Sequence, residues 1–142
     1  MKCREVMTEN PVCCLPNDSV SQAARVMRRE HIGPVPVVND DRTRELIGIV
    51  TDRDLAVKVV AESRDPNRTT VADVMTHTIV VCREDDSLSS AIAAMEEYQI
   101  RRIPVIDQGG RIVGIISQAD VATRVYETEQ SAEMVEEISR AA

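Results

Sequence analysis

The chain is written twice. Residues 5–39, EVMTENPVCCLPNDSVSQAARVMRREHIGPVPVVN, recur as residues 73–107, DVMTHTIVVCREDDSLSSAIAAMEEYQIRRIPVID. Val6-Met7-Thr8 falls on Val74-Met75-Thr76, Cys14 on Cys82, Asp18-Ser19 on Asp86-Ser87, Met27 on Met95, Ile32 on Ile100 and Pro36-Val37 on Pro104-Val105. After a turn that is two residues longer in the first copy, Gly48 falls on Gly114 and Asp54 on Asp120. A chain of 142 residues buries one sizeable core rather than two independent ones, so neither half is expected to fold alone. Pairing the copies about a pseudo-twofold axis lets each cover the apolar surface of the other.

Each copy reads as strand, helix, strand, strand, helix, an α/β (α+β) pattern. The runs Val12 to Leu15 and Ile79 to Cys82 are β-branched or Cys-containing and predict strands, each followed by an Asp-Ser helix start. Apolar residues then recur at Val20, Ala23, Ala24 and Met27, and at Leu88, Ala91, Ile92 and Met95, the spacing of one helix face. Ser19 with Gln22 also forms a capping box. Strands at Val35–Val38 and Leu46–Val50 are joined by NDDRTRE, and those at Ile103–Ile106 and Ile112–Ile116 by DQGG. Second helices start at Thr51 and Ser117. The expected organisation is a first repeat over 1–61, a linker over 62–72, a second repeat over 73–126 and an acidic helical tail over 127–142. In that tail Val135 and Ile138 suggest a face packed on the module or on a dimer mate.

Composition removes several classes of function. The net charge is −7, densest in ETEQSAEMVEEIS near the C-terminus, and only two tyrosines offer stacking surface, so a nucleic-acid partner is not expected. No apolar run reaches the roughly 18 residues of a membrane span, and no signal-peptide pattern follows Met1; a soluble, cytoplasmic protein is the expectation. Cys3, Cys13, Cys14 and Cys82 form no Cys-x-x-Cys and have no histidine at ligand spacing, so they are expected to be buried reduced thiols and not a metal site. In Cys13-Cys14 one thiol is expected to face the core and its neighbour the cleft, because strand side chains alternate. His31 and His77 belong to no triad, and no motif joins a nucleophile, a base and an orienting group, so no catalytic residue is assigned.

The feature left over is GIVTDRD at Gly48 and GIISQAD at Gly114. Thr51-x-x-Asp54 and Ser117-x-x-Asp120 satisfy a capping box with no ligand involved, worth about 0.5–2 kcal/mol each. The same geometry suits a nucleoside: an Asp in the first helical turn can accept both hydroxyls of a ribose, and a nearby hydroxyl adds another contact. Lys58 and Arg124 lie four residues after each Asp, on the same helix face, and either pair with it or assist a ligand.

The VMT starts, the IGPVPVV and IRRIPVI segments and the GIVTDRD and GIISQAD endings, in this order and in duplicate, strongly resemble a tandem pair of cystathionine β-synthase (CBS) domains, the Bateman module, over about residues 4–126. The resemblance implies two β-α-β-β-α repeats about a pseudo-twofold axis, usually as a homodimer. It further implies a non-catalytic sensor of AMP, ADP, ATP or S-adenosylmethionine, held in the cleft between the copies and read by a separate, unknown protein; no cofactor is required. In one site, Asp120 and Ser117 would hold the ribose, with Thr8, Cys13, Ile32, Gly33 and Ile115 around the adenine. In the other, Thr51 and Asp54 would hold it, with Ile49, Thr76, Val81, Ile100 and Arg101 around the base. Nucleotide-binding members carry a basic pair before the second strand, matched here by Arg101-Arg102 in the second copy and replaced by Gly33-Pro34 in the first. The Ser117/Asp120 site is therefore expected to take a phosphorylated adenosine, and the Thr51/Asp54 site to be weaker, empty or selective for a less anionic ligand. The rival reading is a dimerisation scaffold whose Thr/Ser-x-x-Asp pairs are only caps.

Overall fold

The computed structural model describes the backbone of residues 1–141 and the side chains as far as Gln130. Its elements are β1 (Thr8–Glu9), α1 (Val20–Glu30), β2 (Val35–Val38), β3 (Leu46–Val50), α2 (Asp52–Leu55), α3 (Val71–Val74), β4 (Cys82–Arg83), α4 (Leu88–Glu97), β5 (Arg102–Ile106), β6 (Ile112–Ser117) and α5 (Gln118–Ala141). α2 runs on into a π-helical turn, Ala56–Val60. The mixed α+β class and the paired repeats are as expected. The tail begins no new element, because α5 continues without a break through its acidic residues. The side chains of Val135 and Ile138 lie outside the described residues.

Local chemistry explains most boundaries. Ser19 caps α1 through the Gln22 N–H and Gln22 returns the bond, while Ser87 caps α4 through the Ser90 N–H. α1 ends at His31, in the left-handed region at φ 55°, and its counterpart Gln99 after α4 has φ 53°. The strand expected at Val12–Leu15 shrinks to a single parallel bridge, Cys14 to Val37. Pro11 and Pro16 flank it, and neither can donate to a ladder. Its counterpart forms β4, two residues beside β5 rather than the four expected.

The copies exchange their leading segments. β1, from the first copy, pairs with β6 of the second, Thr8 opposite Ile115. Thr76, from the second, pairs with Ile49 in β3 of the first, through N–H to O=C bonds of 2.8 and 2.9 Å. The preceding residues follow the same rule: the Cys3 N–H donates to the Asp86 carbonyl (2.9 Å) and the Val71 N–H to the Asp18 carbonyl (2.8 Å). The expected linker therefore ends in a helix, α3, that belongs to the first copy's packing.

This exchange completes two cores. Cys14, Val20, Ala23, Met27, Val35, Val37 and Val50 form the first, joined by Val71, Val74 and Met75 from the exchanged segment. Cys82, Leu88, Ala91, Met95, Ile103, Val105 and Ile116 form the second, joined by Cys3, Val6 and Met7. Burying a Val or Met side chain contributes about 1.5–3 kcal/mol, so a core without its borrowed residues loses several. Each core takes residues from both copies, so the cores are two and interlocked rather than the one expected.

The crossing explains both glycines. A Cβ at Gly114 would lie 2.5 Å from Met7 Sδ and 2.9 Å from Met7 Cβ; at Gly48 it would lie 2.7 Å from Met75 Sδ and 3.2 Å from the Thr76 oxygen. The borrowed methionine crosses flat over the strand where a side chain would stand. Gly114→Ala should cost about 1–3 kcal/mol, because Met7 Cβ moves only with its backbone. Gly48→Ala should cost less, since mainly a flexible thioether must give; denaturant titration of the two variants checks the order.

Burial also sets the thiols. Cys3 and Cys14 are fully buried and Cys82 nearly so, whereas Cys13 is half-buried. Burial pushes the Cys14 thiol up to about 11, from an ordinary 9.0, and raises Cys3 and Cys82 also. The unfolded chain ionises its thiols above about pH 9 while the folded one holds them protonated, so this contribution to stability is complete below pH 9 and lost as pH rises toward 11. Denaturation midpoints should accordingly fall between pH 9 and 11. A thiol reagent at pH 8 should label Cys13 ahead of the other three, and all four only in denaturant.

Candidate functional site

Between the copies lies a cleft of about 770 Å³. Its walls are matched residues of the two repeats: Ile32 and Ile100, Gly33 and Arg101, Pro34 and Arg102, Thr51 and Ser117. The helix-end residues His31 and Gln99 border it as a pair too. The left-handed turn at each carries the chain from helix to strand and turns the next two residues into the opening. Sequence reasoning missed this pair, although both copies have it in one register.

Each capping box sits at the cleft wall. Thr51 Oγ1 accepts from the Asp54 N–H at 3.1 Å, and the Thr51 N–H donates to Asp54 Oδ2 at 2.9 Å. The bonds between Ser117 and Asp120 are both 3.0 Å. These carboxylates hold helices α2 and α5 at a fixed angle to β3 and β6. The hydroxyl residues line the cleft, whereas Asp54 and Asp120 lie behind them and do not. A carboxylate has about four lone-pair positions, so the caps leave acceptor capacity on both.

The two aspartates differ in their cations. Lys58 Nζ lies 3.0 Å from Asp54 Oδ1 and also donates to the Val74 carbonyl at 2.8 Å, tying α2 to the exchanged α3. Arg124 turns instead to Glu127, at 3.9 Å, and among the described residues no Lys or Arg lies within ion-pair reach of Asp120. The expected i,i+4 pair therefore forms in the first copy only.

Of the expected contacts at the Ser117/Asp120 site, Ile32, Gly33, Arg101, Arg102 and Ser117 line the cleft; Thr8, Cys13, Ile115 and Asp120 do not. At the other site Ile49, Thr51, Ile100 and Arg101 line it; Asp54, Thr76 and Val81 do not. Thr78, Ile79 and Val80 border the cleft on that side, adding apolar wall beside Ile49 and Ile100. Cys14 enters the core as expected of its pair, but Cys13 turns to Pro11 and Arg44 rather than to the cleft. The charged residues around the opening are Arg101, Arg102 and Asp52. In a chain of net charge −7 the cleft is thus locally basic. Apolar walls, the hydroxyl residues Thr51, Thr78 and Ser117 and a guanidinium pair suit a flat apolar base joined to an anion.

Known proteins share this fold. The CBS domain model matches residues 3–61 and 71–127. Hypoxic response protein 1 of Mycobacterium tuberculosis is 35% identical over 124 residues, spanning 87% of this chain and 85% of that protein. A crystal structure of Hypoxic Response Protein I with two coordinated zinc ions has a TM-score of 0.77 at 34% identity, covering 87% of this chain and 98% of the other. CBSX2 in complex with AMP gives 0.77 at 26% identity, with 90% and 98% covered. The CBS domain pair of protein MJ0100, in complex with 5′-methylthioadenosine and S-adenosyl-L-methionine, gives 0.73 at 27% identity, with 91% and 98% covered. Among the described residues no three His, Cys, Asp or Glu side chains gather as a metal site.

Proposed function

The chain belongs to the CBS domain family, and from that footing we propose that it is a non-catalytic regulatory module that binds an adenosine-containing ligand in the cleft between its two copies. The observation that carries the reading is the pair Arg101-Arg102 in a cleft with apolar wall at Ile32, Ile49, Ile100 and Val80. A base needs the apolar wall, and a phosphate or other anion needs the guanidinium fork. Complexes of CBSX2 with AMP and of the MJ0100 pair with S-adenosyl-L-methionine support the same ligand class. Asp54 and Asp120, each beside its cleft-lining hydroxyl residue, are the proposed ribose acceptors. The zinc of Hypoxic Response Protein I is not carried over, for want of a matching ligand cluster among the described residues.

Ligand binding biases the module only if its open and closed states differ in affinity, and a separate protein then reads the difference. Both copies contribute walls, so the ligand bridges them and favours the arrangement in which they sit closest.

A specific observation favours a second role, as a dimerisation scaffold. Val60 and Tyr126 occupy matching positions on the two outer helices and are 75% and 62% exposed, with Val57 and Val125 exposed beside them. Apolar patches of this kind on helical faces mark protein contacts. A homodimer through these helices fits either role.

Thermal denaturation with AMP, ADP, ATP, S-adenosylmethionine and adenosine separates the two. At 100 times its Kd a true ligand stabilises by about 2.7 kcal/mol, a shift of several degrees. Asp54→Ala and Asp120→Ala should each lose about 1.5–3 kcal/mol, the charged hydrogen bond that the carboxylate accepts from the Thr51 or Ser117 N–H, and at least one should also lose the ligand shift. Variants that only melt lower, with no compound shifting the wild type, would leave the scaffold. Arg101→Ala should erase any preference for AMP over adenosine; an unchanged preference would overturn the phosphate assignment.

A further inference from the structure

The two halves of the cleft are built on one backbone but are not equally open. Pseudo-twofold symmetry pairs Arg44 with Gly110: the Arg44 carbonyl accepts from the Ile112 N–H at 2.9 Å, and the Gly110 carbonyl accepts from the Leu46 N–H at 3.0 Å. Both have positive φ, 53° and 81°, and the bridge Glu45 to Arg111 lies between them on the axis. The backbone positions are therefore equivalent and only the side chain differs.

That side chain reaches across to the first copy's leading loop. Arg44 Nη2 donates to the Pro11 carbonyl at 2.8 Å and lies 3.4 Å from Cys13 Sγ. Its turn is held from the second copy by Arg111 Nε, which donates to the Thr43 carbonyl at 2.7 Å. On the other side Gly110 has no side chain, and a Cβ there would meet nothing within 4 Å. The cleft follows this difference. It is bordered by Ile49 and by Thr78, Ile79 and Val80, but not by the equivalent Ile115 or by Asn10, Pro11 and Val12.

We propose that Arg44 closes the half-site beside Cys13, so that the chain takes one adenosine-type ligand, with its base on the Thr51 side and its anion on Arg101-Arg102. This rests on the function proposed above and reverses the sequence-based preference for the Ser117/Asp120 half. Arg101-Arg102 line the cleft itself, beside Ser117, and leave the base a choice of side; that choice falls to Arg44, where the other copy has Gly110.

Isothermal titration of the full chain with AMP tests the assignment. The wild type should bind one AMP per chain. Arg44→Gly installs the residue of the other copy at a backbone angle glycine prefers, so it should fold normally and approach two AMP per chain. Two sites in the wild type, or a single unaltered site in Arg44→Gly, would overturn the inference and leave the proposed function standing. Loss of binding in Arg44→Gly would make Arg44 a ligand contact and overturn it as well. No binding of AMP, adenosine or S-adenosylmethionine by either protein would remove the proposed function, and this inference with it.

Discussion

Thr8 pairs with Ile115 and Thr76 pairs with Ile49, and nearly everything else in the molecule depends on that reciprocal crossing. Each leading segment leaves its own repeat, lays a methionine over a glycine of the other and delivers three apolar side chains into the other core. Two units too small to be stable alone become mutually dependent. The crossing also brings Ile32 and Ile100, and Thr51 and Ser117, to opposite walls of one opening, so the cleft is a by-product of how the cores are completed.

The Thr/Ser-x-x-Asp pairs do structural work first. All four capping bonds are present, and Lys58 adds a tie from Asp54 to the exchanged segment. A group that already fixes a helix start beside a cleft is preorganised for a ligand, because its conformational entropy is spent in folding. The cap and the ligand contact are therefore compatible readings of one carboxylate rather than rivals. The structural reading is visible in the hydrogen bonds, and the ligand reading depends on what fills the opening.

Duplication makes departures from symmetry informative. Where the backbone of the two copies superposes, a difference in side chain is a difference in chemistry alone. Arg101-Arg102 against Gly33-Pro34 sets the charge of the cleft. Arg44 against Gly110 sets its shape, through the one side chain that differs. A fold whose scaffold is repeated can in this way hold two unlike half-sites at no cost to the packing beneath them.

The duplication, the helix faces, the caps and the four long strands were legible in the sequence, because each rests on periodicity or on bonds between residues three or four apart. Ser19 with Gln22 and Thr51 with Asp54 are such pairs. The resemblance carried by GIVTDRD and GIISQAD added a ligand class. The exchange of leading segments was not legible, since Val71 packs equally well in either copy as far as local pattern can tell. Nor was the open half of the cleft, which turns on Arg44 reaching Pro11 and Cys13 across thirty-odd residues. Short-range hydrogen bonding and hydrophobic spacing belong to the sequence by itself; which segment completes which core, and which side chain fills which space, is decided only when distant residues compete for the same place in the folded chain.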